Sequence, residues 1–125
     1  MVQAITSIDD IILGDLTLTQ NNFIEVTSEE GAAFKVSPFD GILGLGLAKT
    51  SANNIKPILQ EFYDQKLISD LSFSFYLTKD SESKGSQLII GGVCEDYDQN
   101  DFDYHNLIGN EYWFFYTFIY IKKKY

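Results

Sequence analysis

Apolar residues and threonine alternate through Leu16-Thr17-Leu18-Thr19, and the apolar run Ile11-Ile12-Leu13 is set off from them by Gly14-Asp15 alone. A period of two is that of a strand with one face buried, so two strand segments about a turn are expected here. Phe23-Ile24-Glu25-Val26 continues the strand-rich pattern, and Thr27 to Gly31 reads as a polar turn. Between Ser51 and Leu67 the period changes. Ile55, Ile58, Leu59 and Phe62 recur at the spacing that puts them on one face of a helix. Pro57 fits only near the first turn of that helix, where a missing N–H costs nothing, so the start lies near Asn54 or Lys56.

From Leu71 onward the pattern returns to β. Ser72 to Thr78 alternates, Asp80 to Gly85 is a polar loop, and Gln87 to Ile90 is a short strand ending at Gly91-Gly92. An acidic loop, Glu95 to Asp101, leads to Phe102–Leu107 and to a final aromatic strand, Tyr112 to Ile121. No linker, low-complexity tract or internal repeat interrupts the chain. Strands with one helix, at turn spacings near ten residues, give an all-β domain with a helical insertion.

Composition narrows this picture rather than changing it. A chain of 125 residues, 45% hydrophobic and 15% aromatic, has the size and the material for one folded domain. Its net charge of −9 argues against a nucleic-acid partner, which needs clustered Lys and Arg; the one basic run, Lys122-Lys123-Lys124, is short and terminal. Cys94 is the single cysteine and cannot form an internal disulfide. Met1 to Thr6 lacks the basic region and apolar core of a signal peptide. The longest apolar stretch, Tyr112 to Ile121, is too short to span a bilayer.

Several motifs fail on their own chemistry. Ala48-Lys49-Thr50 ends like a phosphate loop, but Leu43 and Ala48 stand where that loop needs glycine, so no backbone nest can cradle an anion. Asp96-Tyr97-Asp98 opens like a calcium loop, but Asp101 replaces the sixth-position glycine and Leu107 the closing bidentate glutamate. Neither a metal nor a cofactor is expected. Cys94 and His105 carry no local signature of a thiol protease and no visible orienting group, so an unreactive Cys and a half-buried strand His are expected.

What remains is an ordered set of blocks: Pro38-Phe39-Asp40-Gly41-Ile42-Leu43-Gly44-Leu45-Gly46, the helix, Phe73-Ser74-Phe75-Tyr76-Leu77, Ile89-Ile90-Gly91-Gly92-Val93 and Tyr112-Trp113-Phe114-Phe115. Together they resemble the pepsin-like aspartic proteases (peptidase A1 type), from about Gly14 to Trp113. The resemblance implies a two-lobed all-β protein with lobes of double-psi β-barrel type, of which this chain would be a truncated part. Residues 1–95 would then belong to the later first lobe, and residues 96–125 to the crossing and the start of the second.

The resemblance further implies that Phe34, Phe39 and Ile42 line the hydrophobic pocket for the substrate residue before the scissile bond; simple core residues are the other reading of the three. Asp40, Gly41 and Gly44 would form a structural turn, with Asp40 holding local backbone donors and the glycines allowing close backbone approach. Cys94 stands where the family usually has Asp.

The family's chemistry needs two carboxylates sharing one proton: one takes a proton from the attacking water, and the other polarises the carbonyl. Each sits in an Asp-Thr/Ser-Gly turn, and no Asp in this chain is followed by Thr-Gly or Ser-Gly. The flap is missing as well, no Tyr-Gly preceding Phe34. The expectation is therefore an aspartic-type endopeptidase by descent, inactive as this chain alone. A non-catalytic peptide- or protease-binding remnant is the alternative, and an unrelated all-β binding domain a third. The implied partner is a peptide or protein substrate. Self-association through exposed strand edges is also expected. A secretory, lysosomal, vacuolar or extracellular setting follows from the resemblance alone.

Overall fold

The computed structural model describes residues 2–29, 38–79, 85–95 and 97–118. Its longest feature is an antiparallel hairpin of β1 (Val2–Leu13) and β2 (Leu16–Glu29), closed by Gly14-Asp15 between the paired Leu13 and Leu16. Gly14 has φ +62° and Asp15 does not share that sign, the pattern of a type II′ turn, whose first central position calls for glycine. Strand character runs further than the sequence pattern indicates. Thr27–Glu29, expected in a turn, stay paired with the start of β1, because the backbone ladder extends wherever the partner supplies donors and acceptors.

A bulge near Asp10 sets the faces of this hairpin. Asp9 pairs with Asn21 and Ile11 with Leu18, so two residues of β2 oppose one of β1. Gln20 turns to φ +51°, and its N–H donates to Asp10 Oδ1 at 2.9 Å, a side-chain acceptor for a group the bulge takes out of the ladder. The register then puts Ser7, Asp9, Ile11 and Leu13 on one face with Leu16, Leu18, Asn21, Phe23 and Glu25. This inner face holds the buried Leu18 and Asn21. The outer face carries Ile8, Ile12, Ile24 and Val26, all exposed.

The helix α1 (Ile58–Asp64) covers the inner face near the turn. Leu59 and Phe62 are its buried side chains, and with Leu18 they are the buried apolar core among the described residues. Gln65, just past the helix, clamps Thr19 of β2: its Oε1 accepts from the Thr19 N–H at 3.3 Å, and its Nε2 donates to the Thr19 carbonyl at 3.0 Å. The helix is shorter than its apolar periodicity suggests. Asn53 and Asn54 sit at φ +55° and +56°, and Pro57 occupies the N-cap, so the preceding turn is 3₁₀ (Ala52–Asn54) and Ile55 lies outside α1. At the other end Lys66 takes the left-handed conformation, with Lys66 N–H to Tyr63 O and Leu67 N–H to Phe62 O, the two bonds of a Schellman cap.

A second antiparallel pair, β3 (Phe73–Tyr76) and β4 (Gln87–Ile90), matches Phe73 to Ile90 and Tyr76 to Gln87. Among the described residues the two sheets and the short helix α1 make a mostly β architecture. Asp80–Lys84 of the expected polar loop lie outside the described residues. Phe102–Leu107 and Tyr112–Phe118 are not strands, against expectation. Among the described residues they have no neighbouring strand to pair with, and one backbone bond, Ile108 N–H to Phe114 O at 2.7 Å, ties the turn between them.

Gly91 ends β4 at φ +80°, donating its N–H to Ser72 O at 2.8 Å, and a Cβ there would stand 2.9 Å from Ile68 Cβ. Gly91→Ala should therefore cost about 1–3 kcal/mol, from backbone strain plus the clash. At Gly92 a Cβ meets nothing within 4 Å, so Gly92→Ala should shift the urea midpoint far less. Equal midpoints for the two variants would contradict this account.

Candidate functional site

Residues 21–28 of β2 with residues 9–11 of β1, the Phe39–Gly44 segment, and residues 51, 52 and 55–58 enclose an open cleft of about 1030 Å³. Of the six residues singled out in the sequence, Phe39, Asp40, Gly41, Ile42 and Gly44 line it together; Phe34 lies outside the described residues. Neither Phe39 nor Ile42 is a core residue here, with 51% and 80% of their surface exposed. Leu43, Ile55, Pro57 and Ile58 add to the apolar lining.

The turn itself departs from expectation. Asp40 is exposed, and among the described residues no hydrogen bond reaches its carboxylate, so it is not seen holding backbone donors. Gly41 and Gly44 do not have positive φ, and a Cβ on either would meet no atom within 4 Å. The close approach these glycines would permit is not made by the described part of this chain, because no segment of it lies against them.

What holds the segment in place lies downstream. The Trp113 indole N–H donates to the Leu45 carbonyl at 2.9 Å, while its ring meets Phe73 edge-on at 5.6 Å. Lys49 Nζ donates to Asn110 Oδ1 at 2.7 Å. The glycine-rich run is thus pinned both to the turn around Asn110 and, through Trp113, to β3. Ser51 Oγ donates to the Ile55 carbonyl, closing the bend into α1.

Charge around the cleft is mostly negative. Asp9, Asp10, Glu25 and Asp40 line it, against Lys56 among the described residues. Lys56 is engaged on α1, 2.8 Å from Asp64 and 3.4 Å from Glu61. Its hydrogen bond, with a second from Gln60, holds the Asp64 carboxyl below its ordinary value, and Asp64 in turn raises the lysine. Any stability from Asp64 is therefore present above its unfolded pKa and is lost as the pH falls through its lowered folded pKa. The pair is solvent-exposed, so this contribution is small.

The other candidates stay apart from the cleft lining. Cys94 lies 3.9 Å from Gln87 Oε1. His105 is exposed rather than a half-buried strand residue, its segment not being a strand, and it stacks on Phe115 at 5.1 Å. In the acidic loop, Asp98 and Asp101 spend their carboxylates on a capping box about the 3₁₀ turn Gln99–Asp101. Among the described residues no three metal-ligating side chains come together, and no helix is long and apolar enough to cross a membrane. The contributions of Asp9, Asn21, Phe23 and Glu25 to the cleft were not read from the sequence, since only the strand register brings them to its wall.

Comparison with known proteins agrees with the block pattern. An aspartic proteinase of Oryza sativa subsp. japonica is 37% identical over 108 residues, 86% of this chain and 22% of the relative. Cathepsin D of Dictyostelium discoideum is 36% identical over 107 residues, 86% of this chain and 28% of the relative. Human cathepsin D is 34% identical over 102 residues, 81% of this chain and 25% of the relative. The chain thus spans about a quarter of the length of these curated relatives. A family model described as eukaryotic aspartyl protease matches residues 1–121, and the chain belongs to that family.

Proposed function

We propose that this chain is the substrate-side-chain pocket region of an aspartic-type endopeptidase, and that alone it binds peptides without hydrolysing them. The observation that supports the reading is the cleft in which Phe39 and Ile42, two of the three expected pocket residues, stand exposed beside the Asp40-Gly41 turn. An exposed apolar pair in a concave surface is suited to a large apolar side chain of a peptide. In this reading residues 1–95 belong to the first lobe and residues 96–125 begin the second, so that Trp113 links the two.

Hydrolysis needs both carboxylates, and the chain offers no Asp-Thr/Ser-Gly turn to supply either. The purified chain should therefore show no peptidase activity from acid to neutral pH. Acid proteolysis by pure protein, blocked by a transition-state mimic of peptide hydrolysis, would sink the proposal of inactivity. Binding is tested separately by the change in anisotropy of a labelled Phe-Phe peptide. Ile42→Ser should weaken it roughly 5- to 30-fold, the worth of one large apolar contact. Unchanged binding would remove Ile42 from the pocket. Peptide mapping of the native protein, captured with an antibody to residues 49–66, distinguishes an endopeptidase carrying Asp-Thr-Gly peptides on both sides from a non-catalytic remnant.

A further inference from the structure

Resting on the cleft reading above, we propose that the cleft prefers extended peptides in which the apolar side chain is flanked by lysine or arginine. Asp9 and Glu25 of the hairpin line the cleft, and so does Asp40, beside Phe39 and Ile42. Glu25 accepts one hydrogen bond, from Ser7 Oγ at 2.7 Å, and no hydrogen bond among the described residues reaches Asp40. Asp10, also lining the cleft, accepts from the Gln20 N–H. None of these contacts brings a cation. Lys56, the cation lining the cleft among the described residues, has its charge met by Asp64 and Glu61 on α1.

An apolar floor rimmed by carboxylates that meet no cation among the described residues is complementary to a peptide that carries positive charge next to its apolar anchor. Each such contact gains attraction without stripping a buried charge of water, since both the rim and the ligand stay wet. An anionic peptide meets repulsion at the same places.

The test attaches the 125-residue chain to a sensor surface at low density, which keeps copies apart, and compares three peptides: Lys-Ala-Phe-Phe-Ala-Lys and its counterparts with Gln or Glu at both ends. The lysine peptide should bind about fivefold tighter than the glutamine peptide, with the glutamate peptide weakest, as two exposed charge contacts allow. The gap should close in roughly 1 M salt, where the screening length falls to about 3 Å. The double variant Asp9→Asn, Glu25→Gln should narrow it, the lysine peptide losing affinity relative to the glutamine peptide. Equal binding of all three peptides would overturn the charge preference and leave the apolar pocket standing. No binding by any of them would overturn both. A preference undiminished in the double variant would trace it to the net charge of −9 rather than to the cleft, and would also overturn it.

Discussion

Phe62→Ala should leave the chain without its folded core at room temperature, seen as loss of helical far-UV signal and of amide protection in α1 and the β2 turn region. Phe62 and Leu18 are fully buried and Leu59 is nearly so, and among the described residues no other apolar side chain is. Truncating a buried phenylalanine costs about 3–5 kcal/mol. A domain with a full core has about 5–15 kcal/mol to lose, and one with so few buried side chains sits at or below the lower end. The loss also unseats Gln65, whose contacts with Thr19 depend on α1 lying against β2. Tyr63→Ala, one residue along on the exposed face, is the control and should leave the signal nearly intact. If the two variants melted alike, the core would lie elsewhere.

The burial of Leu59 and Phe62 was legible in the sequence, because the two recur at the helical period. So were the Gly14-Asp15 turn and the Gln87–Ile90 strand, each fixed by local rules of backbone conformation. Two kinds of feature were not legible. Strand length depends on the partner: Thr27–Glu29 look like a polar turn but remain in the ladder, whereas the aromatic run from Tyr112 looks like a strand but is not one as far as Phe118. Contacts between distant segments are also hidden, since nothing in the residue pattern joins the Trp113 indole to the Leu45 carbonyl or places Glu25 on the cleft wall. For Asp40, Gly41 and Gly44 the residue pattern points to a crowded turn, while the described part of this chain leaves them open to solvent.

That same openness predicts that the purified chain self-associates. The chain exposes 10857 Å², against about 6,800 Å² for a compact monomer of its size. On the outer face of the hairpin Ile8, Ile12, Ile24 and Val26 are 40–73% exposed, a run of large apolar side chains on a strand surface, where natural sheets facing water carry polar residues. Among the described residues no further strand pairs with the edges of either two-stranded sheet. The net charge of −9 opposes association, but at physiological salt it is screened beyond about 8 Å, whereas covering each of these side chains gains roughly 1 kcal/mol or more. Sedimentation velocity should therefore show dimers or larger species, and lowering the salt should shift the distribution towards monomer. The triple variant Ile8→Thr, Ile12→Thr, Ile24→Thr keeps the charge and the β-branched shape while removing apolar surface from the outer face, Ile24 being also a residue of the cleft lining. It should sediment chiefly as monomer and retain the hairpin. Ile11→Thr, on the inner face, should instead loosen the fold without curing association. A parent chain that sediments as a monomer and melts sharply would show that the outer face needs no cover; a triple variant that still associates would move the contact to the strand edges.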